Sequence, residues 1–295
     1  MTVPPNPALQ IKAVFLDVDG TYADFGIVPP AHAAAVRAAR AAGHKVLLST
    51  GRPLTMLPGS ITGAGFDGIV ASAGAYAQVH GEVLLDRNFP PDLAARAVAV
   101  LDAHDAVYIL EGQHSLQVPA AAEARLRDHI EAHFAQARNN PEQGSSTILG
   151  ALTTLNTAAA APFAKVSVFE SPLPMARLAA EIGAEIAVVA NSIANEGPHA
   201  GELFRRGISK ADGVAAAITA LGVAREHSIA FGDGDNDLEM IAYAGVGVAI
   251  RGGSAQLLAI ADRTAAPPSE EGLVAAFAEL GLIHPPTPAT GTFPG

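Results

Sequence analysis

The chain has 295 residues, which is enough for one large domain or two of ordinary size. Its 29 acidic residues outnumber its 18 Lys and Arg residues, and the net charge of −11 argues against a nucleic-acid-binding surface. Cysteine is absent, which excludes disulfides and a cysteine nucleophile and is compatible with a cytoplasmic location. We expect no secretion signal in the start MTVPPNPALQ and no membrane span in the uncharged residues 143–164.

Strands and helices alternate along the first 87 residues. KAVFLD is a continuous apolar run, typical of a strand that is buried on both faces. PPAHAAAVRAARAAG predicts a helix that begins at a proline and ends at Gly43. HKVLLST and FDGIVAS predict two more strands, and GRPLTML opens a helix between them. YAQVHGEVLLD predicts a hairpin that turns near His80 and Gly81.

The pattern changes between about Asn88 and Ala200. Helices are predicted at 90–103, 119–136 and 172–183, and strands at 106–111, 164–169 and 186–190. Near Ser209 the first pattern resumes. Two strands are predicted in HSIAFGD and VGVAI, and three helices in SKADGVAAAITALG, NDLEMIAYAG and SEEGLVAAFAEL.

This order of elements predicts an α/β fold, a doubly wound parallel-sheet Rossmann-like core with an inserted α/β cap domain. The core would comprise residues 11–87 and 201–283, with the cap at 88–200. Residues 1–10 and 284–295 are predicted to be disordered. Ligands bind such sheets at the carboxyl ends of the strands, so polar residues that follow a strand are the candidates for a site.

The motif DVDGT places Asp17 at the end of the first strand and Asp19 two residues later. Extended residues alternate faces, so both carboxylates start on the same side. Neighbouring acids repel each other unless a cation or a shared proton lies between them, and Mg²⁺ binds carboxylates together with substrate phosphate. One aspartate would suit attack on phosphorus and the other general acid and base catalysis. For an isolated pair, turn and helix-capping roles are the alternative interpretation.

Two further motifs offer groups that suit a phosphate. In STGRP, Thr50 and Gly51 follow a strand and precede a helix, where a hydroxyl and backbone N–H groups would bind a phosphate oxygen. A capping threonine and a turn glycine are the alternative. Arg52 is expected to form a local salt bridge or to hold the loop. Lys210 lies where a helix begins, which is unfavourable for a cation unless a phosphate is bound there.

The fourth motif, GDGDND, follows the strand HSIAFGD. It places Asp233, Asp235 and Asp237 within five residues, with Asn236 between two of them. Carboxylates at this spacing would form a second half of a metal site. An acidic capping loop is the alternative interpretation. The spacing does not match the longer calcium loop of an EF-hand.

Taken together, DVDGT, STGRP, SKADG and GDGDND resemble the four motifs of the haloacid dehalogenase-like (HAD) hydrolase superfamily. The large insertion between the second and third motifs resembles that of the Cof-type, subclass IIB, phosphatases. The resemblance extends from about Lys12 to Leu282, and ADRTAAPPSEEGLVAAF is similar to the usual end of this family's core. It implies a Mg²⁺-dependent phosphatase.

The resemblance also implies roles for the residues of the first three motifs. Asp17 would be the nucleophile and a Mg²⁺ ligand. Asp19 would be the general acid and base and would offer its backbone carbonyl to the metal. Thr50 and Gly51 would bind the transferring phosphate. Lys210 would neutralise that phosphate and orient Asp17.

In the fourth motif, the resemblance implies that Asp233 ligates Mg²⁺, that Asn236 contacts phosphate and that Asp237 supports the metal shell. Tyr22 departs from the family pattern, which usually has leucine after DGT. That position is not catalytic in the family, so the departure bears on substrate access rather than on the chemistry.

Three functions fit these motifs. The favoured one is a phosphatase of small phosphorylated metabolites, such as a sugar phosphate or a phosphorylated cofactor. A phosphotransferase or phosphomutase would use the same aspartyl-phosphate, and a phosphate-binding module without turnover is the third alternative. The expected partner is a small phosphomonoester, whereas the sequence does not define the oligomeric state. We expect the cap to choose the substrate, and its polar candidates are Glu111, His114, Asn191 and Asn195.

Overall fold

The computed structural model describes residues 10–24, 26–135, 148–155, 160–189 and 197–284. The segments predicted to be disordered lie outside these ranges except for Gln10 and His284, and so do the cap candidates Asn191 and Asn195.

The strands are β1 (Ala13–Leu16), β2 (Lys45–Ser49), β3 (Gly68–Ala71), β4 (Tyr76–Val79), β5 (Glu82–Asp86), β6 (Val107–Glu111), β7 (Leu116–Val118), β8 (Leu152–Thr154), β9 (Lys165–Glu170), β10 (Ile186–Val189), β11 (Gly201–Arg205), β12 (Ser228–Gly232), β13 (Val246–Ile250) and β14 (Arg263–Ala265). The helices are α1 (Pro30–Ala41), α2 (Gly59–Thr62), α3 (Pro91–Ala103), α4 (Glu123–Ala135), α5 (Met175–Ile182), α6 (Lys210–Leu221), α7 (Leu238–Tyr243), α8 (Ala255–Ile260) and α9 (Gly272–Glu279).

The core is an eight-stranded sheet in the order β14-β13-β12-β1-β2-β3-β4-β5. The strands from β14 to β3 are parallel, and β4 and β5 form the predicted hairpin at one edge. Its turn residues His80 and Gly81 both have positive φ, as a two-residue hairpin turn requires. Because β1 lies between β2 and β12, Asp17 emerges near the centre of the carboxyl edge of the sheet.

Strand β1 is buried on both faces, as its apolar run predicts. Val14 and Leu16 point into one hydrophobic cluster, which helices α1 and α9 cover. Ala13 and Phe15 point into a second cluster, which α6, α7 and α8 cover. A sheet covered by helices on both faces is the predicted doubly wound architecture. No helix among the described residues is long and apolar enough to cross a bilayer.

The inserted region forms its own six-stranded sheet, in the order β10-β11-β9-β6-β7-β8. Helices α3 and α5 pack on one face of this sheet, and α4 packs on the other. The predicted cap boundary at residue 200 is wrong, because Gly201–Arg205 pairs with both β9 and β10. The chain therefore returns to the core sheet after Arg205. The pairing of β11 is long-range, and no local sequence signal marks it.

Tyr22 lies in the core rather than at a substrate path. Its side chain is fully buried among α1 and α9 residues and makes an edge contact with Phe66, with ring centroids 5.5 Å apart. Its hydroxyl has no hydrogen-bond partner among the described residues, and burial raises the Tyr22 pKa to about 12. A buried, unsatisfied hydroxyl costs free energy of folding.

We expect Tyr22→Phe to raise the free energy of unfolding by about 1 kcal/mol, because it removes this unsatisfied hydroxyl without changing the ring. Tyr108→Phe is the matched control, because the equally buried Tyr108 hydroxyl donates to Asp102 Oδ1 at 2.8 Å. That variant should lose about 1 kcal/mol. Denaturant unfolding of both variants measures the difference, and a destabilised Tyr22→Phe would contradict the assignment.

Candidate active site

Lys210 joins the first and fourth motifs. It is the first residue of α6, whose start is capped because Asp212 Oδ2 accepts from the Ser209 N–H at 2.9 Å. The Lys210 side chain is fully buried, and its Nζ donates to Asp17 Oδ1 and to Asp237 Oδ1, each at 2.6 Å. One ammonium group thus bridges two carboxylates that are far apart in sequence.

Asp233 completes a group of three carboxylates. Ligand oxygens of Asp17, Asp233 and Asp237 all lie within 4.8 Å of one another. Asp233 Oδ1 also accepts from the buried Thr21 hydroxyl at 2.9 Å. The residue after Asp19 has to be glycine, because Gly20 has φ +81° and a Cβ at this position would lie 2.3 Å from Asp233 Oδ2.

The three carboxylates have more negative charge than Lys210 neutralises. Burial raises the pKa of Asp17 well above its usual range, against the opposing charge of Lys210. Burial and the neighbouring Asp237 raise the pKa of Asp233 to about 6. Burial alone would lower the pKa of Lys210, but the charges of Asp17 and Asp237 outweigh it and raise that pKa.

Asp237 organises the fourth motif through both carboxylate oxygens. Oδ1 accepts from Lys210, and Oδ2 accepts from the backbone N–H groups of Asp233 and Gly234, each at 3.1 Å. The side chain is fully buried. Asp237 thus shapes the loop that presents Asp233, and this agrees with the supporting role implied for it. A direct bond from Asp237 to a metal stays a prediction.

The predicted phosphate-binding residues lie on loops at the same edge of the sheet. Thr50 is buried, and its N–H donates to Val70 O while its Oγ1 accepts from the Arg52 N–H at 3.1 Å. Asn236 is exposed and approaches Gly51, where a Cβ would lie 3.5 Å from Asn236 Nδ2. The second and fourth motifs are therefore neighbours. The binding of phosphate by these residues stays a prediction.

Arg52 forms a salt bridge that is not local in sequence, because its partner is Asp19, the predicted general acid and base in the first motif. Arg52 Nη2 lies 2.6 Å from Asp19 Oδ1, and Nε lies 2.7 Å from Asp19 Oδ2. Arg52 Nη1 also donates to Met56 O at 3.2 Å. The group of carboxylate oxygens within 4.8 Å of one another consists of Asp17, Asp233 and Asp237, and the Asp19 carboxylate is paired with Arg52 instead. The sequence shows that Arg52 follows Thr50 by two residues, but it does not reveal which acid the arginine reaches.

The cap docks on the loop of the second motif. Gln113, in the β6–β7 hairpin of the cap, accepts from Leu54 N at 3.1 Å and donates to Ser72 Oγ at 2.9 Å. The Thr55 hydroxyl donates to Gly112 O at 3.3 Å. Gln113 is buried, whereas the cap candidate His114 beside it is exposed. The sequence analysis missed Gln113, since a glutamine two residues after a predicted strand gives no signal of a long-range contact.

The donor set suits a hard divalent cation. Oxygen ligands from carboxylates are those that Mg²⁺ prefers, and the site offers three of them in a buried setting. The raised pKa values of Asp17 and Asp233 indicate negative charge that the protein itself leaves uncompensated. The residues present therefore fit a bound Mg²⁺ ion.

The fold is a Rossmann-like α/β core with an inserted cap, and the carboxyl edge of its sheet holds a group of aspartates that fits a divalent cation. A haloacid dehalogenase-like hydrolase family profile matches residues 14–277. The chain therefore belongs to the haloacid dehalogenase-like hydrolase family. A solved structure of HAD subclass IIB shares this fold, which agrees with the expected Cof-type branch.

Several known proteins are similar over most of this chain. The Streptococcus pyogenes protein named "Putative bifunctional phosphatase/peptidyl-prolyl cis-trans isomerase" is 26% identical over 279 residues, which are 94% of this chain and 55% of that protein. The chain thus spans about half the length of this relative. "Putative phosphatase YkrA" of Bacillus subtilis is 25% identical over 93% of this chain and 100% of YkrA. The structure of a HAD subclass IIB sugar phosphatase has a TM-score of 0.72 at 23% identity, over 92% of this chain and 100% of that one.

We expect Lys210→Met to lower the free energy of unfolding by about 3–5 kcal/mol at pH 7.5, because it leaves buried carboxylates without their cation. The loss should be smaller at pH 5.5. Without Lys210 the pKa of Asp17 in the folded state rises further above its unfolded value, so the folded variant takes up a proton more readily as the pH falls.

Denaturant unfolding in EDTA at the two pH values measures both effects. Lys45→Met is the control, because Lys45 begins β2 outside the site and its loss should change stability by less than about 0.5 kcal/mol. Equal losses for the two lysine variants, or a Lys210→Met loss independent of pH, would contradict the role of Lys210 as the shared counter-ion.

Proposed function

We propose that this chain is a Mg²⁺-dependent phosphatase that hydrolyses small phosphomonoesters through an aspartyl-phosphate on Asp17. The observation that carries the proposal is the buried Lys210 ammonium, which holds Asp17 and Asp237 at 2.6 Å beside Asp233. This arrangement fixes a carboxylate nucleophile next to a cation and a metal-binding set. Phosphoryl transfer depends mainly on such positioning and charge neutralisation.

Asp17, Asp233 and Asp237 are the side chains that would hold Mg²⁺, with the backbone carbonyl of Asp19 as a further ligand. When bound, Mg²⁺ supplies charge neutralisation between the anionic ester and the anionic nucleophile. Thr50, Gly51 and Asn236 would bind the phosphate oxygens, and Lys210 would neutralise them.

In the first step, a carboxylate oxygen of Asp17 attacks phosphorus and the bond between phosphorus and the ester oxygen breaks. Asp19 donates its proton to the departing oxygen, so the leaving group departs as a neutral alcohol. In the structure both carboxylate oxygens of Asp19 accept hydrogen bonds from Arg52. Asp19 therefore has to separate from Arg52 before it can reach the ester oxygen.

In the second step, water attacks the phosphorus of the aspartyl-phosphate. Asp19, now a carboxylate, removes a proton from that water, and the bond between phosphorus and the Asp17 oxygen breaks. Inorganic phosphate leaves and Asp17 is regenerated as a carboxylate. A phosphotransferase would carry out the same first step and use another acceptor in place of water.

A small substrate agrees with the position of the cap. The Gln113 and Gly112 contacts place the β6–β7 hairpin directly on the loop that follows the second motif. A cap in this position would exclude bulk water and contact the leaving group. Similar proteins are named as phosphatases, and one of them as a sugar phosphatase.

We expect release of inorganic phosphate from a panel of phosphomonoesters in the presence of Mg²⁺. Asp17→Asn should lower the rate by at least about 10³-fold, because the amide is not a nucleophile. EDTA should abolish the release and added Mg²⁺ should restore it. A colorimetric phosphate assay measures both effects.

Asp235→Asn is the matched control, because Asp235 belongs to the same motif but is exposed and hydrogen-bonds Ser254. It should retain activity. If the folded, Mg²⁺-treated protein releases no phosphate from any ester, the phosphatase proposal is wrong. Phosphoryl transfer to an added alcohol would then support the phosphotransferase alternative.

We expect Mg²⁺ to raise the melting temperature more at pH 7.5 than at pH 5.0. In the folded protein the pKa of Asp233 is raised to about 6, above its pKa in the unfolded chain. Ionisation of Asp233 therefore lowers the free energy of unfolding as the pH rises from the unfolded-state pKa towards 6. Above pH 6 a divalent cation offsets that charge, whereas at pH 5.0 it first has to displace a proton. The expected rise at pH 7.5 is about 2–4 °C.

Differential scanning fluorimetry with and without Mg²⁺ measures this difference. Asp233→Asn should remove most of the Mg²⁺ effect at both pH values while the variant remains folded. A Mg²⁺ effect that is equal at both pH values, or unchanged in Asp233→Asn, would show that the cation binds elsewhere.

A further inference from the structure

Ser49 is a buried serine whose hydroxyl has no hydrogen-bond partner among the described residues. It is the last residue of β2 and is fully buried. It precedes Thr50 in the second motif, but the resemblance implies no role for it. Buried hydroxyl groups are normally paired, because an unpaired one costs free energy of folding. An alanine at this position would avoid that cost, so stability does not explain the hydroxyl.

The Ser49 side chain points to the same side of the core sheet as Asp17. Leu47, two residues before Ser49, lies in the hydrophobic cluster that α6 covers. Ser49 pairs with Val70 of β3, which lies in that cluster as well. The Asp17 carboxylate also points to this side, because it contacts Lys210 at the start of α6.

Ser49 and Asp17 are lateral neighbours on adjacent strands. In the parallel pair of β1 and β2, Leu16 lies opposite Leu48. The next residues along the two strands are Asp17 and Ser49, which therefore lie side by side. Neighbouring strands are about 4.8 Å apart, and a serine and an aspartate side chain together span such a gap. A rotation about the side-chain bonds is enough to join the Ser49 hydroxyl to an Asp17 oxygen.

The Asp17 carboxylate has room for a second hydrogen-bond donor. Its Oδ1 accepts from Lys210, and within the described residues no hydrogen bond reaches its Oδ2. One hydrogen bond leaves a carboxylate free to turn about its Cβ–Cγ bond. An in-line attack on phosphorus requires the attacking oxygen to be held in one direction. A hydrogen bond from Ser49 would supply that restraint.

We propose that Ser49 is a positioning residue for the nucleophile, and that its hydroxyl donates to the Asp17 carboxylate when a phosphomonoester is bound. This inference rests on the proposed phosphatase function and adds a residue to that reaction. The bound phosphate turns the carboxylate so that one oxygen faces phosphorus, and the other oxygen accepts from Ser49. The hydroxyl is unpaired in the free protein because its acceptor is in place only during the reaction.

Ser49→Ala tests this role through catalysis and stability together. For the phosphomonoester that the unmodified protein hydrolyses fastest, we expect kcat to fall by at least about tenfold, the effect of one hydrogen bond to a charged group. KM should change by less than about twofold, because the contact forms only as the carboxylate turns to attack. The melting temperature should stay equal or rise, because the variant lacks an unpaired buried hydroxyl. Phosphate release and differential scanning fluorimetry measure these effects.

Ser228→Ala is the matched control. Ser228 is an equally buried serine, but it begins β12 and therefore lies at the opposite edge of the sheet. Its hydroxyl is paired, since it donates to Arg225 O and accepts from the Gly245 N–H at 3.0 Å. This variant should lower the melting temperature by about 2–4 °C and keep kcat within about twofold. The two serine variants should thus show opposite patterns.

The two proposals fail in different ways. If the unmodified protein releases no phosphate from any ester, the phosphatase function fails, and the role of Ser49 fails with it. If the unmodified protein is active and Ser49→Ala retains its kcat, only the role of Ser49 is overturned. A Ser49→Ala variant with a lower melting temperature, or one that does not fold, would overturn it too, because the hydroxyl would then contribute to stability.

Discussion

The ion pairs of Lys210 are the interaction on which the rest of the site depends. One buried ammonium group lies 2.6 Å from Asp17, at the end of the central strand, and 2.6 Å from Asp237, in the loop after the neighbouring strand. Without a cation there, three buried carboxylates within 4.8 Å of one another would repel. Desolvating an ammonium group is expensive, so this arrangement is stable only because both carboxylates pair with it. The same contacts that hold Asp17 therefore tie the start of α6 to the loops after two neighbouring strands, β1 and β12.

The position of the site could be predicted because it follows from topology. Asp17, Thr50, Lys210 and Asp233 each follow a predicted strand or begin a helix beside one, and parallel strands bring those positions to one edge. Side-chain partners could not be predicted in the same way. Nothing local shows that Arg52 reaches Asp19. The boundary of the cap was wrong for a related reason, because Gly201–Arg205 becomes a cap strand only through pairing with β9 and β10.

Asp19 has two competing partners. One is the Arg52 guanidinium, to which it is bound in the structure, and the other is the ester oxygen that it would approach as a general acid. In the structure both carboxylate oxygens of Asp19 accept hydrogen bonds from the Arg52 guanidinium. A general acid has to carry a proton and to approach the ester oxygen. The loop that positions Arg52 is also the loop on which the cap hairpin docks, through Leu54, Thr55 and Met56. The contacts made by the cap and the Arg52–Asp19 pair therefore lie on one short segment of the core.

The charges of the core site leave an excess that the protein itself does not compensate. Four aspartates face two basic side chains, Lys210 and Arg52, and the excess negative charge matches one divalent cation.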